Sequence, residues 1–231
     1  MWKHVRERVS IFEHKGEYAT EHVLLHLYVY VLMIWGFYRL IFRFPLAVEE
    51  VIMKPFVFLL PVFLRIRTDG KNWAERLNSI GITWKNLFAA LAFGLSLGVF
   101  YLFVGRMGQL FRFGSSAPYG DTPDNPVNVI ILALATAVSE EILFVGYFLP
   151  RLHKLWKAEW KVAAVVAVAF AALHLPILVF HYHFPVGLVI GQFLLTFVLG
   201  FGNCVLMLRL KNVVAPILSH ALWGIAVLLF R

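Results

Sequence analysis

Long apolar runs, separated by short charged or turn-forming stretches, set the pattern of this chain. An α-helix rises 1.5 Å per residue, so about 20 consecutive apolar residues cross the hydrocarbon core of a bilayer. The pattern therefore predicts an all-α, polytopic membrane helix bundle of about seven transmembrane helices. The predicted helices lie near residues 23–42, 46–64, 86–105, 127–149, 161–181, 186–208 and 213–230.

Two stretches depart from this simple pattern. Glu49, Glu50 and Lys54 interrupt the first half of the second run, so this helix either enters the membrane from about Val51 onward or is re-entrant. The two glutamates are explained by a helix start at the interface, where the helix dipole favours acids. Residues 1–22 place apolar side chains on one helical face among cations. That face is typical of an interfacial helix, the alternative being a disordered basic tail.

Composition agrees with a membrane protein. Hydrophobic residues make up 61% of the 231 residues, charged residues 15%, and the mean hydropathy is +0.77. A soluble domain cannot bury that much apolar surface, so lipid must be its solvent. The single cysteine, Cys204, excludes an intramolecular disulfide. Because no internal repeat or composition shift divides the chain, residues 1–231 are expected to form one membrane domain.

The distribution of cations predicts the topology. Under the seven-helix scheme, one side of the membrane carries 15 Lys and Arg residues and the other side carries five. The positive-inside rule then places the N-terminus in the cytosol and the C-terminus outside. The net charge of +8 is explained by this bias and by contacts to anionic membrane lipids. Nucleic-acid binding is not expected, because no basic motif or stripe is present.

Ionisable groups inside membrane helices are costly, which makes each one a candidate for function. Ser139-Glu140-Glu141, Phe170 to His174 and Ser219-His220 lie on three different predicted helices. Counted from the cytosolic ends, Glu140, His174 and His220 lie roughly 15, 20 and 11 Å deep. A shared site in the cytosolic half of the bundle is therefore expected.

Helical facing extends this candidate site. At 100° per residue, Thr136, Glu140 and Tyr147 share one stripe, whereas Glu141 points about 100° away. Asn203 belongs to a polar stripe on the sixth helix and lies near the depth of Glu140. Polar stripes on apolar membrane helices face the bundle or a water-filled cavity.

These motifs resemble the CAAX protease and bacteriocin-processing family, intramembrane glutamic proteases related to the type II CAAX prenyl endopeptidases. The family pattern is Glu-Glu-x-x-x-Arg, then Phe-x-x-x-His, then His-x-x-x-Asn/Asp, each on a membrane helix. This chain has Glu140-Glu141, then Phe170 to His174, then His220. The resemblance covers residues 80–231, which are expected to form the protease-like core.

The resemblance implies a function and a role for each residue. Glu140 would be the general base that activates a water, helped by His174, and His220 would donate to the oxyanion. Glu141 and Phe170 would be supporting residues. The substrate would be a hydrophobic or lipidated polypeptide cut near the cytosolic interface of a prokaryotic cell membrane. Neither a metal nor another cofactor is expected.

Two positions depart from the family pattern. Val145 stands at the Arg position and Gly224 at the Asn/Asp position. Position 145 lies one turn beyond Glu141 and shares its face, so the missing Arg was placed to neutralise Glu141. Without it, Glu141 is expected to keep its proton, find another partner or meet cavity water. Asn203 is a candidate to replace the missing Asn.

Other functions remain open at this point. The two departures favour a non-catalytic membrane scaffold or bacteriocin-immunity-type protein on the same fold. Alternatively, Glu140, His174 and His220 form a His₂Glu set that could bind zinc with one open position. No His-Glu-x-x-His helix supports this metalloprotease. A transporter is not supported either, since no pair of broken helices recurs in matching halves.

Overall fold

The computed structural model describes residues 2–41, 44–67, 70, 72–113 and 125–230. Over these ranges the chain is helical and contains no strand, so the predicted all-α fold is confirmed. In chain order the α-helices are α1 (Trp2–Ile41), α2 (Leu46–Val48), α3 (Lys54–Ile66), α4 (Trp73–Asn78), α5 (Leu87–Phe113), α6 (Pro126–Glu141), α7 (Leu149–Trp156), α8 (Glu159–Leu173), α9 (Val186–Leu210) and α10 (Val214–Phe230).

The helices coincide with the predicted runs, and several can cross a membrane. Among the described residues, four helical stretches are long and apolar enough to cross a membrane. A fifth apolar helix, Val214–Leu229, is shorter. The chain is therefore a multi-pass membrane protein, whereas the count of seven spans stays a prediction. The four long stretches are Leu87–Met107, Pro126–Trp156, Glu159–His181 and Val186–Leu210.

The N-terminal region differs from the expectation at one point. Helix α1 continues from Trp2 to Ile41, so the boundary predicted near residue 22 is not a helix end. No proline or turn-forming pair interrupts this stretch, and nothing in the sequence stops the helix there. The segment between the second and third predicted helices, residues 65–85, also contains the short helix α4. Asn72 caps this helix by accepting a hydrogen bond from the Glu75 backbone N–H at 2.9 Å.

In the part of the chain that the structure describes, three π-helical segments interrupt the α-helices. They are Glu49–Met53, Ile142–Phe148 and Ile177–His181. The first joins α2 to α3, the second joins α6 to α7, and the third follows the end of α8 at His174. Each one lies beside ionisable residues, and π-turns inside helices often mark functional sites.

Helix α10 packs between α5 and α6, and two glycines of α5 allow its close approach. A Cβ added at Gly94 would lie 2.6 Å from the Ala215 carbonyl oxygen, and one at Gly98 would lie 2.8 Å from Leu222 Cβ. Small residues let membrane helices come this close and gain van der Waals contact. This packing fixes the height and rotation of α10 in the bundle.

Candidate active site

The structure brings Glu140, His174 and His220 together. Glu140 lies in the last turn of α6, His174 directly after α8, and His220 in the second turn of α10. Glu140 is only 2% exposed, and its Oε2 lies 3.7 Å from the Nε2 atom of each histidine. Among the described residues, that oxygen has no hydrogen-bond partner. One carboxylate oxygen therefore faces two imidazole rings across gaps too long for direct hydrogen bonds.

The other nitrogen of each histidine is held by an acceptor. His220 Nδ1 lies 2.7 Å from Glu141 Oε1, and His174 Nδ1 lies 3.0 Å from the Phe170 carbonyl oxygen. Carbonyl and carboxylate oxygens only accept, so we assign a proton to Nδ1 of both rings. Both histidines are thereby oriented with Nε2 toward Glu140.

Glu141 has partners from two other helices. Besides His220, its Oε1 accepts a hydrogen bond at 2.8 Å from the Nδ2 of Asn203, on α9. The Asn203 carbonyl oxygen accepts in turn from the Ser219 hydroxyl at 2.8 Å. Glu141 thus binds polar groups of α9 and α10 in place of an Arg on its own helix. Asn203 contacts Glu141, which differs from the suggested replacement of an oxyanion donor at position 224.

Phe170 packs beside both histidines. Its ring meets the His174 ring edge-on with centroids 5.0 Å apart, and the His220 ring edge-on at 5.6 Å. Phe144 contacts it from the adjoining π-helical segment at 5.4 Å. Phe170 therefore contacts both imidazole rings with an apolar side chain, and its supporting role stays a prediction.

Lys54 belongs to the site, although sequence reasoning missed it. It is 3% exposed, and its Nζ lies 2.9 Å from Glu140 Oε1 and 2.5 Å from Glu50 Oε2. The Thr136 hydroxyl donates to the same Glu50 oxygen at 2.6 Å. The i, i+4 spacing of Glu50 and Lys54 inside an apolar run was the available signal.

The interfacial explanation of the two glutamates is therefore wrong. Glu49 and Glu50 are both buried, and Glu49 accepts a hydrogen bond from the Tyr38 hydroxyl at 2.5 Å. A carboxylate at the headgroup level would be hydrated, whereas these two bind side chains of α1, α3 and α6. The helix dipole favours acids here, since α2 begins only three residues before Glu49, but it does not account for the burial of the two carboxylates.

The two departures from the family pattern occupy close-packed positions. Val145 is 2% exposed and belongs to the hydrophobic core of the bundle. Gly224 faces α6, where an added Cβ would lie 3.3 Å from the Cβ of Ala133. A larger polar residue at either position would need its neighbours to move.

The donor types at the site include a His₂Glu set. Within the described part of the chain, no three or more His, Cys, Asp or Glu residues are grouped so as to hold a metal ion. The Glu140 oxygen that faces away from the histidines, Oε1, pairs with the Lys54 ammonium.

Comparison with known proteins identifies a family for the C-terminal part. Residues 122–226 match the family described as type II CAAX prenyl endopeptidase, Rce1-like. The predicted resemblance is thus confirmed over these residues, which include Glu140, Phe170, His174, Asn203 and His220. Lys54 lies outside the matched segment. No curated protein and no solved structure matches the chain.

Proposed function

We propose that this chain, which residues 122–226 place with the type II CAAX prenyl endopeptidase Rce1-like family, is an intramembrane glutamic endopeptidase. It would hydrolyse a peptide bond of a hydrophobic or lipidated polypeptide. The observation that carries this proposal is the buried Glu140 oxygen, which faces Nε2 of both His174 and His220 at 3.7 Å. A water or a reacting oxygen that lies to one side of these atoms would contact the carboxylate oxygen and an imidazole nitrogen together.

Glu140 acts as the general base in this mechanism. A water that contacts both Glu140 Oε2 and His174 Nε2 gives its proton to the carboxylate while its oxygen bonds to the substrate carbonyl carbon. The carbonyl π electrons move to oxygen, which produces a tetrahedral oxyanion. Glu140 then passes the proton to the amide nitrogen, and the carbon–nitrogen bond breaks. A carboxylic acid and an amine leave the site.

His220 stabilises the oxyanion. To donate from Nε2 while Nδ1 donates to Glu141, its ring must carry both protons and a positive charge. The Glu141 carboxylate supplies the compensating negative charge, and Asn203 holds that carboxylate in place. A carboxylate–histidine pair of this kind orients an imidazole for catalysis.

We propose that the reaction takes place near the cytosolic interface. The cation bias favours a cytosolic N-terminus, and Glu140 would then lie roughly 15 Å below that surface. A substrate with an apolar or lipid-modified end would lie in the bilayer with its scissile bond at this depth. A prokaryotic cell membrane is the setting that we propose.

Peptidase activity in proteoliposomes tests the function. The probe is a quenched fluorescent peptide that ends in a prenylated CAAX sequence. Wild type should cleave it, Glu140→Gln should abolish cleavage, and Glu159→Gln should not change it. Glu159 is a matched control because its carboxylate pairs with Arg209 at a solvated surface.

Two outcomes would favour the alternatives. A wild type without cleavage, whose biological role survives Glu140→Gln, would indicate a non-catalytic scaffold or immunity-type protein. The substitutions at Val145 and Gly224 are the observation that favours this second candidate. Stoichiometric zinc by elemental analysis, lost in His174→Ala, would replace the glutamic mechanism by a metal-dependent one.

A further inference from the structure

We propose that Lys54 is a positioning residue for the reaction, and that it supplies the cation for the Glu140 carboxylate from outside the family segment. This role rests on the proposed function, because it acts through Glu140. Lys54 stands at the start of α3, after the π-helical segment Glu49–Met53. Its ammonium lies 2.9 Å from Glu140 Oε1.

Lys54 gives the two oxygens of Glu140 different environments. Oε1 is paired with the ammonium, while Oε2 faces the histidines without a hydrogen-bond partner among the described residues. A carboxylate held at one oxygen cannot rotate freely, so the other oxygen stays aimed at the space between the rings. The geometry that carries the proposed function therefore depends on a residue of α3.

Lys54 is itself held in place from several sides. Glu50, one turn earlier, accepts from the ammonium at 2.5 Å, and the Thr136 hydroxyl fixes the same Glu50 oxygen. The Nζ atom also lies 5.2 Å from the centre of the Trp35 ring, within cation–π range. Buried charges persist in apolar surroundings only when they are paired in this way. Glu50, Lys54 and Glu140 therefore form a network of two consecutive ion pairs.

Lys54 does not simply replace the Arg of the family pattern, whose position is next to the other glutamate. Position 145 holds a buried valine, and the neighbouring carboxylate, Glu141, binds His220 and Asn203 instead. The ionisable groups that face Glu140 are Lys54, His174 and His220, with Glu50 and Glu141 behind them. Of these, Lys54 is the cationic side chain that lies within hydrogen-bond distance of Glu140, at 2.9 Å against 3.7 Å for each histidine.

Neutral and charged substitutions of Lys54 test this role in the same prenylated-peptide assay. Lys54→Gln should lower kcat by about tenfold or more and leave KM within about twofold, since the lost interaction acts on the catalytic base and not on substrate binding. Lys54→Arg keeps the charge and should retain most of the activity. Arg65→Gln, at the exposed end of the same helix, is the matched control and should behave as wild type.

The outcomes separate this role from the function itself. If Glu140→Gln abolishes cleavage but Lys54→Gln keeps the wild-type kcat, the role of Lys54 is wrong and the protease stands. If Glu140→Gln still cleaves, the protease mechanism fails and the role of Lys54 fails with it. Should Lys54→Gln not give monodisperse protein, Lys54→Met removes the charge while keeping an unbranched side chain of similar length. A wild-type kcat in Lys54→Met would then overturn the role.

Discussion

At the scale of single residues, two adjacent glutamates contact different partners. Glu140 pairs with Lys54 and faces both histidines, whereas Glu141 binds His220 and Asn203. Neighbouring residues of an α-helix point about 100° apart, so two adjacent side chains take part in two different networks. In the proposed mechanism, the pair combines the general base with the residue that orients His220.

This division predicts different effects for two isosteric changes. Glu140→Gln removes the base and should abolish cleavage, whereas Glu141→Gln still accepts from His220 and loses only the charge. We expect Glu141→Gln to lower kcat by roughly ten- to hundredfold, as for other changes in carboxylates that support a histidine. Steady-state kinetics on the prenylated peptide measure both. A Glu141→Gln enzyme as fast as wild type would mean that Glu141 only holds the helices together.

The sequence predicted some of these residues and missed others for a physical reason. Glu140, His174 and His220 stood out because an ionisable group in an apolar helix needs a partner. The same rule applied to Glu50 and Lys54, but their position near a helix start offered a simpler explanation at the interface. The hydrogen-bond partners of Asn203 could not be predicted, because depth along a helix does not determine side-chain contacts.

At the scale of helices, the contact between α5 and α10 positions His220. The backbones meet where Gly94 faces Ala215, and there is no room for a methyl group. We expect Gly94→Ala to lower the apparent Tm in detergent by roughly 5 °C, since overpacking costs on the order of 1–3 kcal/mol. Activity should fall with it, because α10 carries His220.

A matched control lies on α9. Gly191 is also in a membrane helix, but nothing lies within 4 Å of the position its Cβ would take. Gly191→Ala should therefore leave the apparent Tm and the activity near wild type. Equal thermal shifts for the two variants would show that helix propensity, and not the close approach, sets the effect.

The π-helical segments explain why facing could not be predicted along the whole of each helix. Thr136 contacts Glu50 and Glu140 contacts Lys54, so both side chains face the same ion-pair network, as one α-helical stripe predicts. Tyr147, assigned to the same stripe, lies beyond the change of winding at Ile142 and packs instead under the Arg151 guanidinium. Apolar pattern locates a membrane helix well, but it does not show where the winding changes.

At the scale of the whole molecule, the cation bias predicts how the chain sits in the membrane. A cysteine placed at Ser116 should react with an impermeant maleimide on intact cells, and one placed at Ala74 should react only after permeabilisation. Ala74 is exposed and Cys204 is buried, so the native thiol should give little background. The reverse labelling pattern would invert the topology and move the site to the external half.

The burial of Lys54 also has a consequence for how the protein is made. Glu49, Glu50 and Lys54 leave the ribosome well before the helix that carries Glu140 has been translated. A lysine near the centre of an inserting helix costs roughly 2.5–3.5 kcal/mol, and the glutamate one turn earlier offsets part of that cost. We therefore expect α3 to stay next to the translocation channel and to enter the bilayer fully only after residues 126–156 have been translated. The same contacts that set up catalysis would then decide when membrane integration is complete.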